Sequence, residues 1–194
     1  MMTSLTYDVI KALKGKTLVT AESCTGGGIG AALTSVPGSS EVFKGGIICY
    51  TNWVKENILE IDPATIKKYG AVSVPVAAEM AFNARLMMDA NIGLSVTGLA
   101  GPGGDDYGNP VGTVCIGYSS HERTFTKQFR FEGDREEVRN HAIHAALTIV
   151  LEMLSELNLP TGKPVGKLSF YSLDIYGIIP IDTEEEVSVW ISRV

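Results

Sequence analysis

The sequence predicts an α/β fold: a three-layer α/β/α sandwich on a mixed five-stranded sheet whose fourth strand is antiparallel, followed by a β-rich C-terminal tail. Apolar runs of strand character alternate with segments of helical periodicity, which is the pattern of a layered α/β domain. Two strand-like runs over 111–131 are separated by only a few residues around His121-Glu122, as in a hairpin. Over 133–157 apolar residues recur at helical spacing behind a capping box.

The elements follow in order. "DVIKALKGK" (8–16) reads as an opening helix ending near Gly15, and "KTLVT" (16–20) as the first strand. "GGIGAALTSV" (27–36) is helical and built from small residues, and the near-continuous apolar run "GGIICYT" (45–51) has the mark of a strand buried on both faces. "NWVKENILEI" gives a helical turn or two, interrupted at Pro63 before "ATIKKYG". Ser73 offers an N-cap and Pro75 a first-turn proline to a helix over "VAAEMAFNARLMMDA". "IGLSVTG" (92–98) is another buried strand, followed by the hairpin of "VGTVCIGYSS" and "RTFTKQFRF". Asp134 caps the last helix, with Glu137 as its capping-box partner. Crossover helices make the first three strands parallel; the hairpin reverses the fourth and restores the fifth. After the Pro- and Gly-rich "NLPTGKPVGK", alternation at Val187, Val189 and Ile191 gives the tail its strand character.

Composition narrows the function classes. A chain of 194 residues can bury one core well, and 45% hydrophobic with 20% charged residues is ordinary for a soluble globular protein. No apolar run approaches a membrane span and the N-terminus has no signal-peptide core, so a cytoplasmic protein with no membrane partner is expected. Cys24, Cys49 and Cys115 are an odd set without CxxC spacing, against a disulfide framework or a zinc ribbon. His121, His141 and His144 form no HExxH, and neither a metal nor a cofactor is expected. A net charge of −6 weighs against a nucleic-acid partner, yet a few local cations suffice for a small anionic substrate.

Ligands of parallel α/β sheets bind beyond the carboxyl ends of the strands. Strand 1 delivers "AESCTGG" there, and strand 2 delivers Tyr50, Thr51, Asn52 and Lys55. Strand 3 delivers "TGLAGPGG" from Thr97, and strand 5 "EGDREEVR" with Arg135 and Arg139. Singly, each has an ordinary explanation. The glycines make a tight turn, Lys55 is a solvated charge, Tyr50 is a core aromatic with a wet hydroxyl, and the arginines pair with Glu132, Glu136 or Glu137. Gly26, Gly28 and Ala31 fit a dinucleotide fingerprint loosely, but strand 2 ends in Tyr50-Thr51-Asn52 without the acid that holds a ribose. The loop "GLAGPGGDDYGNP" lacks the G-K-[ST] of a Walker motif. A dehydrogenase and a P-loop ATPase are thereby excluded. The enzyme reading that remains is nucleophilic: Ser23 lies on a turn before a helix N-terminus, and a buried Lys55 of depressed pKa can serve as its base. Cys24 is the rival nucleophile, without a histidine or cation assigned to it.

The blocks "TAESCTGG", "GSSEVFKGGIICYTNWVK", "GAVSVPVAAEMA", "VTGLAGPGG", "PVGTV" and "FEGDREEVR" resemble, in this order, the CinA C-terminal domain family, also called nicotinamide-nucleotide amidohydrolases. The resemblance runs from about Tyr7 to about Leu157. It implies a cytoplasmic enzyme that hydrolyses the carboxamide of nicotinamide mononucleotide to nicotinate mononucleotide and ammonia, without metal or cofactor. It also implies the roles: Ser23 as nucleophile, Lys55 as general base, Tyr50 beside them as a catalytic residue, and Thr97 with Gly98 in substrate binding. Backbone N–H groups near Thr25, Gly26 and Gly27 would hold the oxyanion, and Arg135 or Arg139 the 5′-phosphate. The alternative is a non-catalytic module that binds a pyridine nucleotide in the same pocket. Residues 1–158 are then the amidohydrolase-like domain. Residues 159–194 have no family counterpart and are expected to add strands across a subunit interface, making a homo-oligomer. Many family members carry an N-terminal molybdopterin-binding-like domain that this sequence lacks, so a stand-alone form is expected.

Overall fold

The computed structural model describes residues 2–157, so the extension over 159–194 and the strands expected in it lie outside the described residues. Helix α1 (Met2–Ala12) leads to β1 (Leu18–Glu22), α2 (Gly28–Thr34) and β2 (Phe43–Ile48). Three helices follow: α3 (Asn52–Asn57), α4 (Pro63–Tyr69) and α5 (Val74–Met87). The chain then forms β3 (Ile92–Gly98), β4 (Thr113–Ser119), β5 (Thr124–Arg130) and the long α6 (Arg135–Leu157).

The sheet order is β2-β1-β3-β4-β5. Strand β1 runs parallel to β2 and β3, and β4 is antiparallel to both β3 and β5. The reversed fourth strand is the one the hairpin requires. The carboxyl ends of β1, β2, β3 and β5 therefore share one rim, and α6 begins there.

Alternation along the central strands builds two cores. Leu94, Val96, Val114, Ile116 and Tyr118 face α1, α2 and α6, packing with Leu13, Leu33, Ala142 and Leu147. Val19 and Ala21 face the other way, onto Leu59, Ile66, Val76 and Met80. Caps fix the helix starts. Asp134 Oδ1 accepts from the N–H groups of Glu136 and Glu137, while Glu137 Oε2 accepts from the Asp134 N–H. Ser73 caps α5, and Asp62 caps α4 with Pro63 as its first residue. Helix α1 starts and stops earlier than 8–16, and Gly15 turns the chain at φ +81°.

One expectation is corrected. The run over 45–51 does not form a strand buried on both faces: among the described residues β2 is an edge strand in which half-buried and exposed residues alternate, with Ile48 55% exposed. Ile47 and Ile48 point to opposite sides, and only Ile47 reaches a core.

The closest approach of layers is at α5. A Cβ added at Gly93 would stand 2.0 Å from the Ala81 carbonyl oxygen, and one at Gly117 2.3 Å from that of Ala77. Ser95 Oγ donates to the same Ala77 carbonyl at 2.6 Å. The helix backbone thus rests on the strand backbone, and no methyl fits between. Gly93→Ala is expected to cost about 3 kcal/mol of unfolding free energy by overpacking, seen as a lower urea midpoint at unchanged m-value.

Candidate active site

Ser23 is the first residue beyond β1, and its N–H donates to the Val96 carbonyl at 2.9 Å, which pins the turn to β3. The chain then passes through Gly26 (φ +61°) and Gly27 (φ +93°) into α2. Left-handed backbone of this kind suits glycine, but a helix opening on Gly27 has no side chain with which to cap itself. Glu22 supplies the cap. Its carboxylate, on a residue only 1% exposed, accepts from the N–H groups of Ile29 (3.0 Å) and Gly30 (2.8 Å). It accepts as well from the hydroxyls of Thr25 (2.7 Å) and Thr20 (3.2 Å). An anion is favoured at this positive end of the helix.

The sequence places Glu22 beyond strand 1, among the residues delivered to the rim; it is the last residue of β1. The signal that could have found it is the glycine-only helix start, which leaves an upstream acceptor as the one remaining source of a cap. A second correction follows. The first-turn N–H groups at Ile29 and Gly30 are taken by Glu22, so this helix N-terminus does not offer them to a ligand. Within Thr25–Gly27, the Gly26 N–H donates to the Ser23 carbonyl at 3.0 Å. The N–H groups of Thr25 and Gly27 meet no acceptor among the described residues, and that of Cys24 none beyond its own side chain.

Lys55 comes from α3, which Thr51 caps through the Val54 N–H. It is 2% exposed, and its Nζ donates to the Cys49 carbonyl at 2.8 Å and to Ser23 Oγ at 3.1 Å. Among the described residues no carboxylate lies within ion-pair range of it. Burial pushes the Lys55 pKa below its ordinary 10.5. The solvated-charge reading of Lys55 is therefore overturned.

The other expected residues fall on the rim or behind it. Tyr50, 56% exposed, accepts at its hydroxyl from Arg135 Nη2 at 2.8 Å, and Arg135 Nη1 donates to the Gly101 carbonyl at 2.7 Å. The Tyr50 hydroxyl is thus engaged at the mouth by Arg135. Arg139 Nη2 donates to the Thr25 carbonyl at 2.9 Å. Neither arginine forms an ion pair with Glu132, Glu136 or Glu137. Thr97 is fully buried and its hydroxyl donates to the Ala71 carbonyl at 2.8 Å, so it holds the loop before α5. A Cβ at Gly98 would stand 3.1 Å from Cys24 Sγ and 2.9 Å from the Thr113 carbonyl oxygen. The structure thus brings Ser23, Lys55 and the 24–27 turn together, with Arg135, Arg139 and Tyr50 around them.

The CinA C-terminal domain model matches residues 2–154. The chain belongs to the CinA C-terminal domain family. A CinA-like protein of Rippkaea orientalis is 45% identical over 137 residues, 69% of this chain and 33% of its own length. This CinA domain chain spans about a third of the length of the curated relatives it matches. A competence or damage-inducible protein from Enterobacter asburiae has a solved structure with TM-score 0.78 and 34% identity, covering 79% of this chain and 98% of that one. The competence/damage inducible protein CihA from Agrobacterium tumefaciens gives TM-score 0.75 and 35% identity, over 79% and 95% of the two chains.

Among the described residues of this CinA domain, no three His, Cys, Asp or Glu side chains gather as a metal would need, and no helix is long and apolar enough to cross a membrane. The cysteines are buried, and desolvation pushes the thiols of Cys24 and Cys49 up to about 11 and that of Cys115 to about 12. Burial thus disfavours the thiolate in all three, and the hydroxyl that meets Lys55 Nζ is that of Ser23. Iodoacetamide at pH 8 is expected to leave the native protein unmodified by mass and to label three thiols after denaturation. Glu22→Gln keeps the side chain's shape but loses one acceptor. The threonine hydroxyls can reverse, whereas a backbone N–H cannot, so urea unfolding is expected to register a loss of about 2–3 kcal/mol.

Proposed function

We propose that this chain is an amidase that hydrolyses the carboxamide of nicotinamide mononucleotide through a Ser23 acyl-enzyme. The observation that carries the reading is the buried 3.1 Å contact between Ser23 Oγ and a Lys55 Nζ that has no carboxylate partner among the described residues. Binding alone needs no nucleophile poised on a desolvated amine; covalent catalysis does. The substrate comes from the family resemblance of the sequence blocks, and the two guanidinium groups at the rim suit a phosphorylated ligand.

Neutral Lys55 takes the Ser23 hydroxyl proton as Oγ attacks the carboxamide carbon. The carbonyl oxygen becomes an oxyanion facing unpaired N–H groups of the 24–27 turn. As the C–N bond breaks, Lys55 returns the proton to the leaving nitrogen, and ammonia departs from the Ser23 ester. Water then attacks the ester, giving its proton to Lys55 and on to Ser23 Oγ as nicotinate mononucleotide leaves. The Cys49 carbonyl holds Nζ in line throughout.

The test is ammonia release from nicotinamide mononucleotide by the purified protein beside Ser23→Ala and Lys55→Met. Each substitution is expected to lower kcat by roughly 10³-fold or more with the fold retained by circular dichroism. Tight nucleotide binding by the wild type without ammonia release would replace this reading by the binding module. The pH profile is a separate check. Below its depressed pKa Lys55 carries a proton and cannot accept one, so kcat/KM should rise with pH through an inflection below 10.5 and fall on the acid side. Lys55→Arg, protonated at every accessible pH, should abolish that limb together with the activity.

A further inference from the structure

We infer that Arg139 is a positioning residue for the nucleophile turn, acting through two peptide units on the Cys24 N–H, and that Arg135 is the guanidinium left for the substrate's phosphate. The inference rests on Ser23 being the nucleophile.

The half-buried Arg139 gives Nη2 to the Thr25 carbonyl, which also accepts from the Gly28 N–H at 3.1 Å. The peptide that carries this carbonyl ends in the Gly26 N–H, which donates to the Ser23 carbonyl at 3.0 Å. The next peptide, from Ser23 to Cys24, ends in the Cys24 N–H. That is the residue after the nucleophile, the position from which one oxyanion donor comes in serine hydrolases of the nucleophile-elbow type. Guanidinium, Thr25–Gly26 peptide and Ser23–Cys24 peptide are therefore joined head to tail.

Two effects run along this chain. In a trans peptide the N–H points opposite to the C=O, so pinning the Thr25 and Ser23 carbonyls fixes the directions of the Gly26 and Cys24 N–H groups. A cation on the first carbonyl also polarises each hydrogen bond after it, and leaves the Cys24 N–H a better donor to developing negative charge. No side-chain donor need move when the substrate reacts. Arg135 is placed differently. It is exposed at the mouth, and its two partners, the Tyr50 hydroxyl and the Gly101 carbonyl, are neutral groups that phosphate oxygens can replace. Turning Arg139 out to a phosphate would instead take Nη2 from the Thr25 carbonyl, which would keep only its Gly28 N–H donor.

The deciding experiment compares wild type, Arg139→Gln and Arg135→Gln on nicotinamide mononucleotide and on its riboside, which lacks the phosphate. Arg139→Gln is expected to lower kcat about 30-fold to 100-fold on both substrates, with each KM changed less than about threefold. Labelling of Ser23 by a small fluorophosphonate, which needs the oxyanion donors but no phosphate site, should slow by a similar factor. Arg135→Gln should raise KM for the mononucleotide roughly tenfold or more, and by a clearly larger factor than it raises KM for the riboside. A rise in KM confined to the mononucleotide in Arg139→Gln, at an unchanged labelling rate, would make Arg139 the phosphate anchor and overturn the inference. Should Arg139→Gln fail to fold, Arg139→Lys must still show the kcat-only pattern, and a KM-only effect there overturns it equally. A wild type that takes the label but releases no ammonia sinks the proposed amidase reaction alone. An active wild type with the wrong arginine pattern sinks this inference alone.

Discussion

Burying a lysine without a carboxylate beside it is the constraint on which the site depends. A salt bridge would have made Lys55 easy to bury and useless as a base, because an adjacent anion stabilises the protonated form. The chain satisfies Nζ with neutral partners instead, the Cys49 carbonyl and the Ser23 hydroxyl, so that burial is the largest influence on the amine and disfavours its charge. The cost is borne by the two cores on either face of the sheet. The short α3 can keep its lysine dry because β2 delivers Cys49 and Thr51 at the floor and start of that turn.

The turn that follows Ser23 solves the complementary problem. Its glycines give the left-handed conformations that expose backbone N–H groups, and they deprive α2 of a self-cap. Glu22 resolves this from the end of β1. It takes the Ile29 and Gly30 donors, while the N–H groups of Thr25 and Gly27 meet no acceptor among the described residues and that of Cys24 none beyond its own side chain. A buried anion fixes one end of the turn and the Arg139 cation fixes its middle. The polar groups between them are set before any ligand arrives.

Much of this was legible in the sequence. The strand–helix alternation, the hairpin around His121-Glu122 and the Asp134–Glu137 box each rest on local patterns with local causes, and the sheet topology follows from them. The rim was legible because topology alone sends the ends of β1, β2, β3 and β5 to one side. Three features were hidden. The apolar run over 45–51 could not reveal that, among the described residues, β2 has a neighbour on one side only, since edge position is a property of the assembled sheet. Glu22 reads as a turn residue because its partners at Ile29 and Gly30 become neighbours only once α2 folds back over β1. Thr97 reads as a rim hydroxyl, yet strand alternation turns it toward Ala71 on the α5 side.

The two arginines show where sequence spacing stops and geometry begins. Four residues apart on α6, they look interchangeable as anion binders, being on one helix face. One helical turn carries Arg139 down beside the 24–27 turn and leaves Arg135 at the mouth. The difference in depth changes what each can do. An exposed guanidinium among neutral partners exchanges them at little cost, whereas a half-buried one that organises a backbone carbonyl acts by staying in place. A site built this way separates holding the substrate from stabilising its reaction, and substitutions on neighbouring turns of a single helix should then move KM and kcat independently.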